Sequence, residues 1–126
     1  MTIHLDTSVL IDVITRARPL LEPYEKAAAA GHRIGTSTLV MYEWRRGPRT
    51  DLELELQREL CPADLIVAFG PTEAAHAADL YRRVKRARNR EMDIGVAACA
   101  IEHGAALWTV NPRDFSDIPG LKLYKP

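Results

Sequence analysis

Four carboxylates occupy positions that a purely surface role explains poorly. Asp6 ends a short run in which Ile3 and Leu5 alternate with polar Thr2 and His4. Glu43 lies within Leu39-Val40-Met41-Tyr42-Glu43-Trp44, and on a helix it shares a face with Leu39 and Val40. Asp93 opens an alanine-rich stretch that has to pack closely, and Asp114 follows the apolar run ending at Val110 by way of Asn111-Pro112-Arg113. Each has a local alternative: Asp6 or Asp93 as a helix cap, Glu43 paired with Arg46 at i+3, Asp114 as a turn residue. Gathered at one place, however, they would repel. Two unit charges ~4 Å apart cost roughly 4 kcal/mol at an effective dielectric of about 20. Such a cluster tolerates full ionisation only with a cation, and oxygen ligands without His or Cys select Mg²⁺ or Mn²⁺. The chemistry that suits such a site is phosphodiester hydrolysis, with a metal-activated water attacking and the metal stabilising the developing charge.

The elements that must carry these acids alternate between strand and helix. Thr2 to Leu5 reads as a first strand, after which Thr7 and Ser8 are placed to cap a helix with Val9, Leu10, Val13 and Ile14 on its apolar side. Arg16 to Arg18 lead into Pro19, and Leu20 to Ala30 read as a helix that Gly31 ends. Arg33 to Thr36 is a brief strand. Ser37 caps a helix over Thr38 to Arg46 that Gly47-Pro48 stops. Asp51 to Leu60 form a charged amphipathic helix, and Leu65 to Phe69 an unbroken apolar run expected to be a strand buried on both faces. Pro71 opens a long helix in which Ala74, Ala77, Ala78, Tyr81 and Val84 should pack on the sheet. Asp93 opens another, closed by Gly104. Ala105 to Val110 is a buried strand, and Leu121 to Tyr124 a last short one.

This alternation predicts βαβ units: an α/β fold, a three-layer α/β/α sandwich around a parallel sheet of four to five strands. With 126 residues and no linker, repeat or low-complexity tract, the chain reads as a single domain over 1–126. In a parallel sheet the ends of the first and fourth strands meet at one edge, where the four acids can converge.

Composition excludes some classes and leaves others open. The 47% apolar share is ordinary for a globular protein. No apolar stretch approaches the ~20 residues that span a bilayer, and no basic-then-apolar start marks a signal peptide, so a cytoplasmic location is expected. Cys61 and Cys99 lack any metal-ligand spacing and are expected to be reduced and buried. With 17 basic and 17 acidic residues the net charge is zero, but the signs are separated. Arg82, Arg83, Lys85, Arg86, Arg88 and Arg90 crowd one stretch, and Arg45, Arg46 and Arg49 another. Arg82 to Arg90 suit the solvated face of a helix or, with Arg86 and Arg88 in particular, a contact to nucleic-acid phosphates. Arg45 and Arg46, within a turn of Glu43, are the stronger candidates for contact with a substrate or a protein partner.

Four segments carry a resemblance: Leu5-Asp6-Thr7-Ser8-Val9-Leu10-Ile11-Asp12, Glu43-Trp44-Arg45-Arg46-Gly47, Asp93-Ile94-Gly95-Val96-Ala97-Ala98 and Thr109-Val110-Asn111-Pro112-Arg113-Asp114-Phe115. In order and spacing the chain resembles the PIN-domain ribonucleases, and among them the VapC toxins of toxin–antitoxin modules. The resemblance implies a Mg²⁺- or Mn²⁺-dependent endoribonuclease, a homodimer, and inhibition by a cognate antitoxin inserted near the acids. It implies Asp6 and Asp93 as main metal ligands, Glu43 as a direct or water-mediated ligand, and Asp114 as completing the site or holding a second ion. Thr7, Ser8, Thr109 and Asn111 become groups that orient ligands or phosphate. The chain departs from the family at Arg90-Glu91-Met92, where another Asp is common, so Glu91 is left open as a participant; Asp12 is left out of the metal shell.

Two other readings compete. An acidic-pocket phosphatase or phosphotransferase would use Asp6 as nucleophile, but the Asp expected two residues later is Ser8. A catalytically silent RNA- or protein-binding module would be favoured by loss of an acid, and all four are present.

Overall fold

Strand β1 (Thr2–Leu5) lies at the centre of a five-stranded sheet, between β2 (Arg33–Ser37) and β4 (Ala106–Trp108). The outer strands are β3 (Ile66–Val67) beside β2 and β5 (Lys122–Leu123) beside β4, giving the order β3-β2-β1-β4-β5 with every pairing parallel. The structure, a computed structural model, describes residues 1–15 and 19–126, so the stretch Arg16 to Arg18 lies outside the described residues. Among the described residues six helices cover the sheet: α1 (Thr7–Ile14), α2 (Leu21–Ala29), α3 (Thr38–Arg45), α4 (Asp51–Leu60), α5 (Pro71–Arg83) and α6 (Glu91–Glu102). Single 3₁₀ turns occupy Ala63–Leu65 and Pro112–Asp114. This is the three-layer α/β/α arrangement. Strand order runs outward from β1 in both directions, so the carboxyl ends of β1 and β4 flank the crevice where such sheets bind ligands.

Sequence explains most of the elements. Ser37 Oγ accepts the Val40 amide and starts α3. Thr50 and Glu53 close a reciprocal capping box at α4. Ile3, Leu5, Val9, Leu10, Val40, Trp44, Ile94 and Leu107 are fully buried and knit α1, α3 and α6 onto the central strands. His4, buried in β1 beside His103, has its pKa lowered to about 4, chiefly by burial. Cys61 and Cys99 are both buried and free.

Two glycines set close approaches. A Cβ on Gly35 would stand 2.1 Å from the Leu65 carbonyl oxygen, so β2 lies against the 63–65 turn only because that position has no side chain. A Cβ on Gly95 would stand 2.6 Å from Leu39 Cδ1, which explains a glycine inside a helix that otherwise costs about 1 kcal/mol relative to alanine.

Four expectations are corrected. The Leu65 to Phe69 run is not a doubly buried strand: only Ile66 and Val67 pair, at the sheet edge, and both are half-exposed. A short edge strand carries the same apolar residues as a central one, so composition alone misplaced it. Helix α5 turns a different face inward. Leu80 and Val84 are buried and Ala77 is half-buried, while Ala74, Ala78 and Tyr81 are exposed. Its alanines carry too little apolar area to fix the rotation; Leu80, fully buried in the core cluster, decides it. Thr7 and Ser8 do not cap α1 but begin it, with Asp6 at the cap position. The basic run does not continue α5, which ends at Arg83; Lys85, Arg86 and Arg88 ride the connection to α6, with Arg86 at φ 56° and Asn89 at φ 68°.

Candidate acidic active site

Asp6 is held at the end of β1 by its own backbone. Its amide donates to the Trp108 carbonyl at 2.9 Å, extending the β1–β4 ladder by one residue, and its carbonyl accepts the Val9 and Leu10 amides that start α1. The side chain makes no capping bond. Instead Oδ2 accepts two hydroxyls, Ser8 Oγ at 2.9 Å and Thr109 Oγ1 at 2.8 Å. Those hydroxyls are themselves fixed, since Ser8 Oγ accepts the Val110 amide at 3.2 Å and Thr109 Oγ1 the Asn111 amide at 3.0 Å. Each hydroxyl therefore spends its proton on Asp6, and the local capping explanation for this carboxylate does not hold.

The other acids arrive from different layers. Glu43, half-buried on α3, accepts a hydrogen bond from Thr7 Oγ1 at the first turn of α1. Arg46, the partner that i+3 spacing offers Glu43, instead places its guanidinium 5.5 Å over the Tyr42 ring. Asp93 is the third residue of α6, whose cap position is Arg90. A helix N-terminus favours a carboxylate, yet the Asp93 pKa is pushed up to about 6. Burial raises it most, then the charges of Asp6, Glu43 and Asp114 in that order, and Arg90 offsets only part. Burial and crowded like charge together outweigh the helix dipole here.

Asp6, Glu43 and Asp93 line one pocket of about 370 Å³ together with Thr7, Ser8, Ile11, Asn111 and Arg49. Asp114 is exposed and outside that lining, within electrostatic reach of Asp93. Its turn is anchored by Arg90, which donates to the Asp114 carbonyl at 2.9 Å and grips Asp117 with both Nη groups, at 2.6 and 3.0 Å. A larger, shallow hollow along α5 has its titratable groups already paired, His76 with Glu102 and Asp79 with Arg83.

The remaining sequence candidates divide. Thr7, Ser8, Thr109 and Asn111 are all at the pocket or bonded to its acids. Arg45 lies elsewhere, lining a cavity with Met41, Gln57 and Arg58, and Arg86 and Arg88 sit on the α5–α6 connection. Glu91 lines the groove between α5 and α6 with Tyr81 and Ile94, outside the acidic pocket, and Asp12 is outside that lining too. Arg49 and Arg90 were not singled out from sequence. The available signal was the Gly47-Pro48 turn, which doubles the chain back and returns Arg49 toward Trp44.

Among the described residues, no three His, Cys, Asp or Glu side chains stand close enough to share one ion. The donor set nevertheless suits a hard divalent cation. The pocket acids are all carboxylates, burial and their mutual repulsion together lift Asp93, and Mg²⁺ is commonly held by one or two carboxylates with water completing its shell. Among the carboxylates, Asp6 acts most strongly on Asp93.

The sequence matches the family model described as PIN domain over residues 3–121. No curated protein matches the sequence. Among solved structures, the fold is similar to VapBC2 from Rickettsia felis bound to a DNA fragment from their promoter, with TM-score 0.78 and 20% identity over 98% of both chains. It is similar also to VapBC-1 from nontypeable Haemophilus influenzae, with TM-score 0.77 and 19% identity over 99% of this chain and 98% of that one. FitAcB from Neisseria gonorrhoeae gives TM-score 0.73 and 18% identity over 98% and 97%. At such identities the likeness is one of fold.

Proposed function

The chain belongs to the PIN domain family, and on that premise we propose that it is a metal-dependent endoribonuclease, the toxin of a toxin–antitoxin pair restrained by a cognate antitoxin. The observation that carries the nuclease reading is the pocket itself: Asp6, Glu43 and Asp93 are drawn from β1, α3 and α6 to one crevice, and Asp6 is oriented by two hydroxyls rather than spent on its helix. The toxin reading rests on the family and on the VapBC and FitAB assemblies among the chain's structural neighbours.

In this reading Asp6 and Asp93 would hold Mg²⁺ or Mn²⁺, Glu43 would act through a bound water, and Asp114 would close the rim. The ion supplies an activated water and stabilisation of the leaving oxygen. The chain's own residues do the rest. Thr109 and Ser8 fix the Asp6 carboxylate, Thr7 fixes Glu43, and Asn111 stands at the mouth where a phosphate would be oriented. Arg45, Arg46, Arg86 and Arg88 lie outside the pocket and suit longer-range contact with RNA or antitoxin. The working unit is one domain, a homodimer, acting in the cytoplasm; no described helix is long and apolar enough to cross a membrane.

The test is cleavage of RNA by the purified chain with Mg²⁺, repeated with EDTA and with Asp6→Asn. Cleavage should require the metal and vanish in the variant. Persistence in EDTA, or in Asp6→Asn, rules the mechanism out.

A further inference from the structure

Among the described residues lining the acidic pocket, Arg49 is the cationic one, and it is built in rather than draped there. Its Nε donates to the Trp44 carbonyl at 2.8 Å, and its guanidinium lies 4.5 Å from the centroid of the fully buried Trp44 ring. Gly47 leaves room for it, since a Cβ there would meet Nη2 at 3.3 Å. Backbone bond, ring and glycine together fix the plane of the fork. Among the described residues, Arg49 forms no ion pair with Asp6, Glu43 or Asp93, although all four line the same pocket. Its Nη groups make one long contact, Nη1 to the Pro48 carbonyl at 3.4 Å. A guanidinium held in place, facing a pocket of carboxylates and bonded to none of them, is available to an incoming anion.

We propose that Arg49 is the substrate-phosphate anchor of this pocket: its two Nη groups donate to the two non-bridging oxygens of one RNA phosphodiester and hold the strand against the acids. The inference rests on the nuclease reading for the identity of the anion. A bound divalent ion would offset only part of the charge of three carboxylates, so a fixed cation at the pocket still favours a phosphate, and a planar fork matches phosphate geometry where a lysine's point charge does not. Immobilisation by Trp44 lowers the entropy lost when the contact forms. Arg46, committed to Tyr42, and Arg45, beside Arg58 at a different cavity, are not placed to substitute.

The experiment measures binding of a fluorescent 12-nucleotide RNA with Ca²⁺ in place of Mg²⁺ across a salt series, alongside cleavage in Mg²⁺. The proteins are the wild type, Arg49→Gln, Arg49→Lys and, as a charge control, Lys26→Gln on exposed α2, with thermal melts confirming that each is folded. Arg49→Gln keeps a stem to cover Trp44 and should weaken binding about 10-fold, raise KM more than it lowers kcat, and reduce the salt slope by about 0.7. Arg49→Lys should keep the slope and recover binding only in part. Unchanged binding and slope in a folded Arg49→Gln overturn the proposal, as does loss of binding equal to that in Lys26→Gln. If wild-type protein binds RNA through Arg49 but cleaves nothing, the nuclease reading fails and the anchor stands. If it cleaves with Arg49→Gln unaffected, the anchor fails and the nuclease reading stands.

Discussion

Thr109 Oγ1 donates to Asp6 Oδ2 at 2.8 Å, joining the residues just beyond β1 and β4 across 103 positions of sequence. The bond forms because the two strands are parallel neighbours, with Leu5 paired to Trp108. Thr109→Val keeps the shape and removes the donor. Loss of such a ligand-orienting group costs about 10–100-fold in metal affinity or activity. RNA cleavage should fall in that range, the Mg²⁺ concentration for half-maximal rate should rise, and Thr109→Ser should restore both. Equal loss in the Ser and Val variants would assign Thr109 to packing instead.

Asp93 makes the metal-free protein pH-sensitive in a defined direction. Its folded pKa, about 6, lies above the usual 3.8, so the folded chain retains a proton that the unfolded chain has already released. Stability is therefore highest at low pH as far as this group is concerned, and declines as pH rises from about 4 through 6. A shift of two units corresponds to about 3 kcal/mol in a fully buried site. For a partly exposed one about 1 kcal/mol is expected. Without metal, Asp93→Asn should exceed the wild type by that amount at pH 7.5 and match it near pH 4 in urea unfolding. His4 titrates in both proteins and cancels in the difference. Excess Mg²⁺ should stabilise the wild type at pH 7.5 and do little for the variant. A pH-independent difference would show that folding does not raise the Asp93 carboxyl.

The Arg90–Asp117 clasp is exposed, which limits its worth to stability to about 1 kcal/mol or less. It nonetheless fixes the turn bearing Asp114 to the start of the helix bearing Asp93. Asp117→Asn should leave the melting temperature within about 3 °C of the wild type, yet lower cleavage several-fold. A fall in activity no larger than the fall in folded fraction would remove the clasp from the site.

Gly35→Ala should be far more damaging than Gly95→Ala. The new methyl at 35 would collide with a backbone carbonyl, Leu65 O, which moves only with the β2–β3 edge. At 95 it meets the free end of the Leu39 side chain, and the loss is offset by the better helix propensity of alanine. Denaturant unfolding should report about 3 kcal/mol for the first and about 1 kcal/mol or less for the second. Similar costs would mean that β2 and the 63–65 turn are free to separate.

Local pattern carried a large part of this protein. Alternating and 3.6-residue apolar periods, with Ser37, Thr50, Gly31 and Gly104 as punctuation, are short-range signals, and they placed most of the helices and central strands to within a residue or two. Where the apolar signal was ambiguous they failed. The 65–69 run looks the same at an edge as in a centre, and the alanines of α5 weigh too little to orient it against Leu80.

For the site, sequence by itself determined the chemistry on offer: four carboxylates without histidine or cysteine beside them, and hydroxyls at 7, 8 and 109 to steady them. Those are properties of residue type, and residue type survives any fold. Only the tertiary structure decided which groups meet. It drew Asp6, Glu43 and Asp93 into one pocket, left Asp114 at the rim on a turn that Arg90 anchors, and turned Glu91 toward a different groove. It also chose Arg49 over its neighbours Arg45 and Arg46. Three arginines within five positions are nearly equivalent as sequence. They become different when a helix ends, a glycine lets the chain double back, and a buried tryptophan offers its face to one of them.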